Sequence, residues 1–236
     1  MSEQDQGRLA SFRTRPMTPQ SMADQVYERL RDMLIDGSVP AGSQLPEAHL
    51  AESFGISRGP IREAMQRLAT EGLVVSVRNH GVFALEFTED DIRDLYYMRS
   101  IYEESAFLAC RGDERVATAL TKRVDELEDA LAKDSWLAIA NADIAFHLTA
   151  VESVGSPRLL AAYRQLSAQA TVCVRQLQPD YPHPQDLVAE HRQLITLVGD
   201  ADEAELRHGI QEHLTSAADS LVARLHAAHA AGDKPA

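Results

Sequence analysis

From Thr88 onward no segment alternates polar and apolar residues as a strand would, whereas apolar residues recur every three or four positions in six long stretches. This restricts the larger part of the chain to helices. The stretches run over 89–110, 114–132, 134–153, 156–178, 184–199 and 202–229. Breakers separate them: Arg111-Gly112-Asp113, Gly155-Ser156-Pro157, the run from Pro179 to Pro184, and Gly199-Asp200. Helices of this length with short connections bury their apolar stripes against one another, which predicts an antiparallel bundle.

The first 87 residues read differently. Met22, Val26, Leu30 and Leu34 predict a helix that stops at Gly37, and Pro46 opens a second carrying Leu50 and Phe54, with Gly55 just past its end. Ser57 offers an N-cap to a third helix whose Ile61, Met65 and Leu68 face inward, ended by Gly72. Two helices joined through Gly55-Ile56-Ser57 form a helix-turn-helix. The runs Leu73 to Val77 and Val82 to Leu85 flank Arg78-Asn79-His80-Gly81 as a hairpin, in the place of a wing. The predicted fold is therefore mainly α: an N-terminal winged helix-turn-helix over 21–87, followed by an all-α antiparallel helical bundle over 88–230. A flexible N-terminal segment over 1–20 and a flexible tail over 231–236 bracket the two domains.

The formal net charge of −13 argues against nucleic acid until its distribution is read. Residues 1–87 carry nine basic and eleven acidic side chains, so most of the excess acid lies in the helical part. Within 58–78, Arg58, Arg62, Arg67 and Arg78 face only Glu63 and Glu71, a local positive surface. Neither a membrane span nor the apolar core of a signal peptide is evident, which predicts a cytoplasmic protein. Cys110 and Cys173 sit in helical segments and read as free, buried thiols.

Arg58 and Arg62 lie four residues apart near the start of the third helix, on one face, where a recognition helix meets base edges. Arg pairs bidentately with guanine O6 and N7, so that face has the chemistry to read sequence. A solvated charged face is the plain alternative for a lone basic helix, and it weakens once turn, helix and wing occur in order. The segments Gly42-Ser43-Gln44-Leu45-Pro46-Glu47, Leu50-Ala51, Phe54-Gly55-Ile56-Ser57-Arg58, Pro60-Ile61-Arg62-Glu63-Ala64 and Leu68-Ala69-Thr70-Glu71-Gly72-Leu73 resemble the GntR superfamily of bacterial transcription regulators over about 24–85. The resemblance implies that Arg58 and Arg62 read the major groove of double-stranded DNA and that the wing tip Asn79-His80-Gly81 enters the adjacent minor groove, with Ser57, Pro60 and Arg67 also expected to bind DNA. Ala48 departs from the pattern, since many relatives carry Arg there, and His49 replaces that grip only in part.

In the helical part, Asp143 and His147 lie one turn apart on one face, a spacing that lets a carboxylate and an imidazole reach one ion. His191 falls among Leu187, Val188, Leu194 and Ile195, and His213 among Leu206, Ile210 and Ala217, so both point inward. Each histidine alone is ordinarily a separately satisfied core residue; three with an aspartate make independence less attractive. This half resembles the FCD ligand-binding domain of the FadR branch, in its shorter VanR-like six-helix version. That resemblance implies a divalent metal held by Asp143, His147, His191 and His213. Three imidazoles and a carboxylate suit zinc or nickel, or manganese or iron with added oxygen ligands.

Arg99 lies on or beside the apolar stripe of the bundle's first helix, where it either pairs with Glu103 one turn on or awaits an anion. The resemblance favours a small carboxylate effector. Arg175 and Tyr163 are further pocket candidates without a deciding physical reason, and Trp136, Tyr96 and Tyr97 read as core or interface. The expected protein is a homodimeric, ligand-responsive regulator, by default a repressor, acting on a palindromic operator. A metal-dependent enzyme fused to a DNA-binding domain and a metal-free regulator sensing an acyl thioester are the competing readings.

Overall fold

The computed structural model describes residues 20–133, 135–176 and 184–230. Its elements are α1 (Met22–Ile35), α2 (Glu47–Phe54), α3 (Arg58–Thr70), β1 (Val74–Val77), β2 (Gly81–Ala84), α4 (Glu89–Ala109), α5 (Glu114–Ala132), α6 (Trp136–Ser153), α7 (Pro157–Gln176), α8 (Pro184–Asp200) and α9 (Glu203–Ala230). A winged helix-turn-helix followed by a helical bundle is what the sequence predicts, with helix ends displaced by one or two residues. The terminal segments expected to be flexible, and the break at Pro179 to Pro184, lie outside the described residues but for Gln20 and Pro184 at their edges.

Local chemistry sets the boundaries. Ser21 and Asp24 form a reciprocal capping box at α1, and Thr88 and Asp91 form another at α4, each satisfying two backbone donors of a first turn. Gly55 adopts φ +66° after α2, the left-handed cap that lets the chain turn sharply into α3. Asn79 takes φ +66° at the wing tip, a conformation asparagine tolerates better than most residues. The wing pairs Val74 with Ala84 and Val77 with Gly81. Residues 43–45 run along its other edge, with Leu45 N–H donating to Val82 O (2.8 Å) and Ala84 N–H to Ser43 O (2.9 Å).

Leu30, Ile61, Leu68 and Leu73 are fully buried and close the core of the winged part. In the bundle α4 packs against α6, α7 and α9, and α5 packs against α6 and α8. Cys110 and Cys173 are free and buried, and burial pushes the Cys173 thiol up to about 12.

One helix joins the two halves. Gln165 and Gln169 on α7 donate to the carbonyls of Thr70 (2.7 Å) and Glu71 (2.8 Å) at the end of α3. The Arg175 guanidinium, at the other end of α7, lies directly over Gly37 after α1, where any Cβ would overlap it. Gly37 takes φ +75°, a backbone conformation that favours glycine there. Among the described residues no helix is long and apolar enough to cross a membrane.

Candidate functional site

The first candidate surface is the start of α3. Ser57 is the N-cap residue, yet its hydroxyl makes no capping bond. Arg58 is exposed, and Arg62 is exposed with its Nε donating to Glu47 Oε2 at 2.7 Å. An exposed pair of this kind is worth about 0–1 kcal/mol, so Arg62 gives it up at little cost. Arg67 points elsewhere: its Nη1 donates to Asp24 Oδ1 (2.6 Å) and its guanidinium lies 3.9 Å from the Tyr27 ring centroid. That side chain ties α3 to α1 instead of joining the exposed arginine face. Asn79, His80 and Gly81 are exposed at the wing tip, and Ala48 and His49 are exposed on α2.

The second lies inside the bundle, where α6, α8 and α9 bring His147, His191 and His213 together, with one nitrogen of each within 4.8 Å of the others. Ring centroids are 5.0–5.2 Å apart, and Phe146 packs edge-on against two of the rings. The outward-facing nitrogens all meet acceptors: His191 Nδ1 lies 2.7 Å from Leu187 O, His147 Nδ1 2.6 Å from Glu103 Oε2, and His213 Nδ1 3.3 Å from Glu190 Oε2. The two carboxylate contacts are off-axis. An imidazole that donates through Nδ1 keeps a lone pair on Nε2, the arrangement in which histidine binds metals.

The inner atoms show why a cation fits. His147 Nε2 and His213 Nε2 face each other at 3.4 Å, and His191 Nε2 lies 3.2 Å from Asp143 Oδ1 without a hydrogen bond. With Nδ1 donating to Leu187 O, His191 turns a lone pair toward a carboxylate oxygen, two acceptors that only a shared cation or proton reconciles. Burial pulls the His147 imidazole down to about 4, outweighing Glu103, so it is neutral at pH 7 and available as a ligand. Burial opposes charge on Asp143, but its contacts with His191, His147 and Arg99 hold the carboxyl well below its usual range. The same contact raises His191 against the effect of burial.

Beside this cluster is a cavity of about 90 Å³. Arg99 reaches it, and of the sequence's two alternatives for that residue the pairing with Glu103 is the one in place. Its Nε donates to Glu103 Oε1 at 2.7 Å, while its buried Nη2 has no partner. The Tyr96 ring centroid lies 4.7 Å from its guanidinium carbon.

Several neighbours carried no sequence signal strong enough to select them. Tyr163 OH donates to Glu103 Oε1 at 2.6 Å, and Arg175 is absent from the cavity wall. Tyr96 and Trp136, read as core or interface, line the cavity, whereas Tyr97 is 63% exposed. Ser216, Ser220 and Arg224 follow His213 along α9 and face the same space. Their spacing of three, seven and eleven residues from His213 was the available clue.

The profile of bacterial regulatory proteins of the gntR family matches residues 22–84, and that of the FCD domain matches residues 94–216, more than half of the chain. The chain belongs to the GntR family. This GntR-family chain is 35% identical over 109 residues to the HTH-type transcriptional regulator YdhC of Bacillus subtilis, covering 45% of this chain and 49% of that one. It is 29% identical over 139 residues to the gluconate operon transcriptional repressor of Bacillus licheniformis, covering 58% and 57%. It thus spans about half the length of these curated relatives. A putative GntR transcriptional regulator from Rhodococcus sp. RHA1 shares the fold, with TM-score 0.75 at 22% identity over 85% of this chain and 97% of that one. These are families and names of transcriptional regulators, and the enzyme reading is set aside.

Proposed function

We propose that the chain is a DNA-binding transcriptional regulator, acting as a homodimer and a repressor, whose bundle (88–230) holds a divalent metal and a small organic acid that lowers operator affinity. Its DNA-facing set comprises Ser57, Arg58, Pro60, Arg62, Asn79, His80 and Gly81 on the 21–87 domain. Arg67 is left out because Asp24 and Tyr27 hold it. Asp143, His147, His191 and His213 would hold the metal, which when bound supplies positive charge for a carboxylate; Arg99, on the cavity wall, offers that carboxylate a second cation. The donor set suits zinc, nickel, manganese or iron.

The carrying observation is that one helix serves both sites. Val174 of α7 lines the cavity while Gln165 and Gln169 of α7 hydrogen-bond the end of α3, so displacement of α7 by a ligand repositions α3. A cavity walled by Arg99, His147 and His213 beside Trp136 and Leu221 suits a small acid with a polar and an apolar end. Repression and a sugar-acid effector are in keeping with a relative named for the gluconate operon. Tyr97 and Ile101, 63% and 49% exposed one turn apart on α4, support pairing with a second copy.

The test is a titration of a duplex selected by the protein from a random library against a scrambled duplex, at one salt concentration. Two chains bind per selected duplex, and Arg62→Ala costs about 1–3 kcal/mol on the selected duplex with little change on the scrambled one. Equal losses on both would reduce Arg62 to a phosphate contact, and no selected sequence would overturn the regulator.

A further inference from the structure

Glu103 is fully buried on α4, accepts two hydrogen bonds at one oxygen and places the other against an imidazole nitrogen, off the hydrogen-bond axis. Its Oε1 accepts from Arg99 Nε (2.7 Å) and from Tyr163 OH on α7 (2.6 Å), and its Oε2 lies 2.6 Å from His147 Nδ1 on α6. An ionised carboxylate only accepts hydrogen bonds. A ring nitrogen 2.6 Å from Oε2 must therefore carry the proton, because two lone pairs at that distance repel. Glu103 thereby selects the Nδ1–H tautomer of His147 and leaves Nε2 bare, and Nε2 is the atom that turns toward His213.

We infer that Glu103 is the positioning residue of the metal site: it fixes His147 as an Nε2 ligand, and Arg99 and Tyr163 hold it in place to do so. The inference rests on the metal reading above and assigns a role to a residue outside the ligand set. It makes Arg99 common to both sites, since Nε anchors the carboxylate behind the metal ligand while the residue also lines the cavity. Carboxylates behind metal-binding histidines orient the ring, and their loss typically costs 10- to 100-fold in metal affinity.

Glu103→Gln tests this sharply. The amide oxygen stays with the two donors, Arg99 Nε–H and Tyr163 O–H, because an NH2 there would face both. The NH2 is left facing His147, which must then accept at Nδ1 and carry its proton on Nε2, the metal-facing atom. Two readouts apply to the full chain: imidazole ¹⁵N shifts of metal-free, ¹⁵N-histidine-labelled protein, and calorimetric titration with zinc chloride alone. Wild type shows His147 as the Nδ1–H tautomer. Glu103→Gln shows Nε2–H and binds zinc 10- to 100-fold more weakly. Tyr163→Phe keeps the carboxylate but removes one of the two donors to Oε1, so it retains the wild-type tautomer and weakens zinc binding less than Glu103→Gln does.

Should Glu103→Gln fail to fold, the double variant Arg99→Met/Glu103→Leu removes both buried charges together and still loses zinc affinity at least tenfold. A Glu103→Gln protein that keeps the Nδ1–H tautomer and binds zinc within threefold of wild type overturns the inference, as does a double variant with wild-type zinc affinity. Were wild type to bind no zinc, the metal reading would fall, and the ¹⁵N shifts would still decide whether Glu103 sets the His147 tautomer.

Discussion

His191→Ala eliminates the thermal stabilisation that wild type gains from its metal. A ligand present at a thousand times its dissociation constant stabilises the folded state by about 4 kcal/mol. For a chain of this size each kcal/mol moves the melting temperature by about 2–4 °C, so loaded wild type should melt roughly 8–16 °C above its chelator-stripped form. His191 supplies an Nε2 lone pair already set against Asp143 Oδ1 and locked by Leu187 O. Without it three donors remain, and the gap closes to within a few degrees at the same metal concentration. Truncating a fully buried ring also costs packing, so the informative quantity is the difference between loaded and stripped forms of each protein. Metal content after gel filtration gives an independent reading. Equal gains in wild type and variant, or no gain in either from zinc, nickel or manganese, would remove the metal site.

Arg99→Met lowers the unfolding free energy by about 3–5 kcal/mol, because it leaves Glu103 as a buried carboxylate without its cation. Arg99 is 2% exposed and Glu103 0%, so little solvent screens the pair. Burial opposes charge on both groups, and their mutual attraction outweighs it, holding Glu103 below the usual carboxylate range and Arg99 above its own. Met fills much of the space the Arg stem occupies, which makes loss of charge the main effect. Urea unfolding of stripped protein measures it. Arg99→Met/Glu103→Leu should recover most of the loss, since an apolar pair of similar volume often replaces a buried ion pair without penalty. A single-variant cost below about 1 kcal/mol would mean that the pair is solvated in solution.

Helix starts and stops were legible because their chemistry is local. Gly55 and Gly72 sit past helix ends at positive φ, and Ser57 precedes α3, as the sequence predicts. The convergence of His147, His191 and His213 was legible only as three inward-pointing residues on separate helices; which nitrogens meet depends on how those helices rotate, a tertiary quantity. Arg67 shows the limit of local reading. It shares a helix with Arg58 and Arg62, but its direction is set by Asp24 and Tyr27, forty or more residues earlier. Glu103 shows the same limit for a site. Spacing pairs it with Arg99, whereas its contacts with Tyr163 and His147 require α6 and α7 to be in place.

The most direct measurement is the coupling between acid and operator. Sugar acids and dicarboxylates are titrated calorimetrically into metal-loaded protein, alone and saturated with the selected duplex, and duplex affinity is measured with and without each acid that binds. At least one acid should weaken duplex binding by about 5- to 150-fold, and the duplex should weaken binding of that acid by the same factor, because coupling between two sites is reciprocal. An acid that binds in the cavity and leaves duplex affinity unchanged would contradict the account.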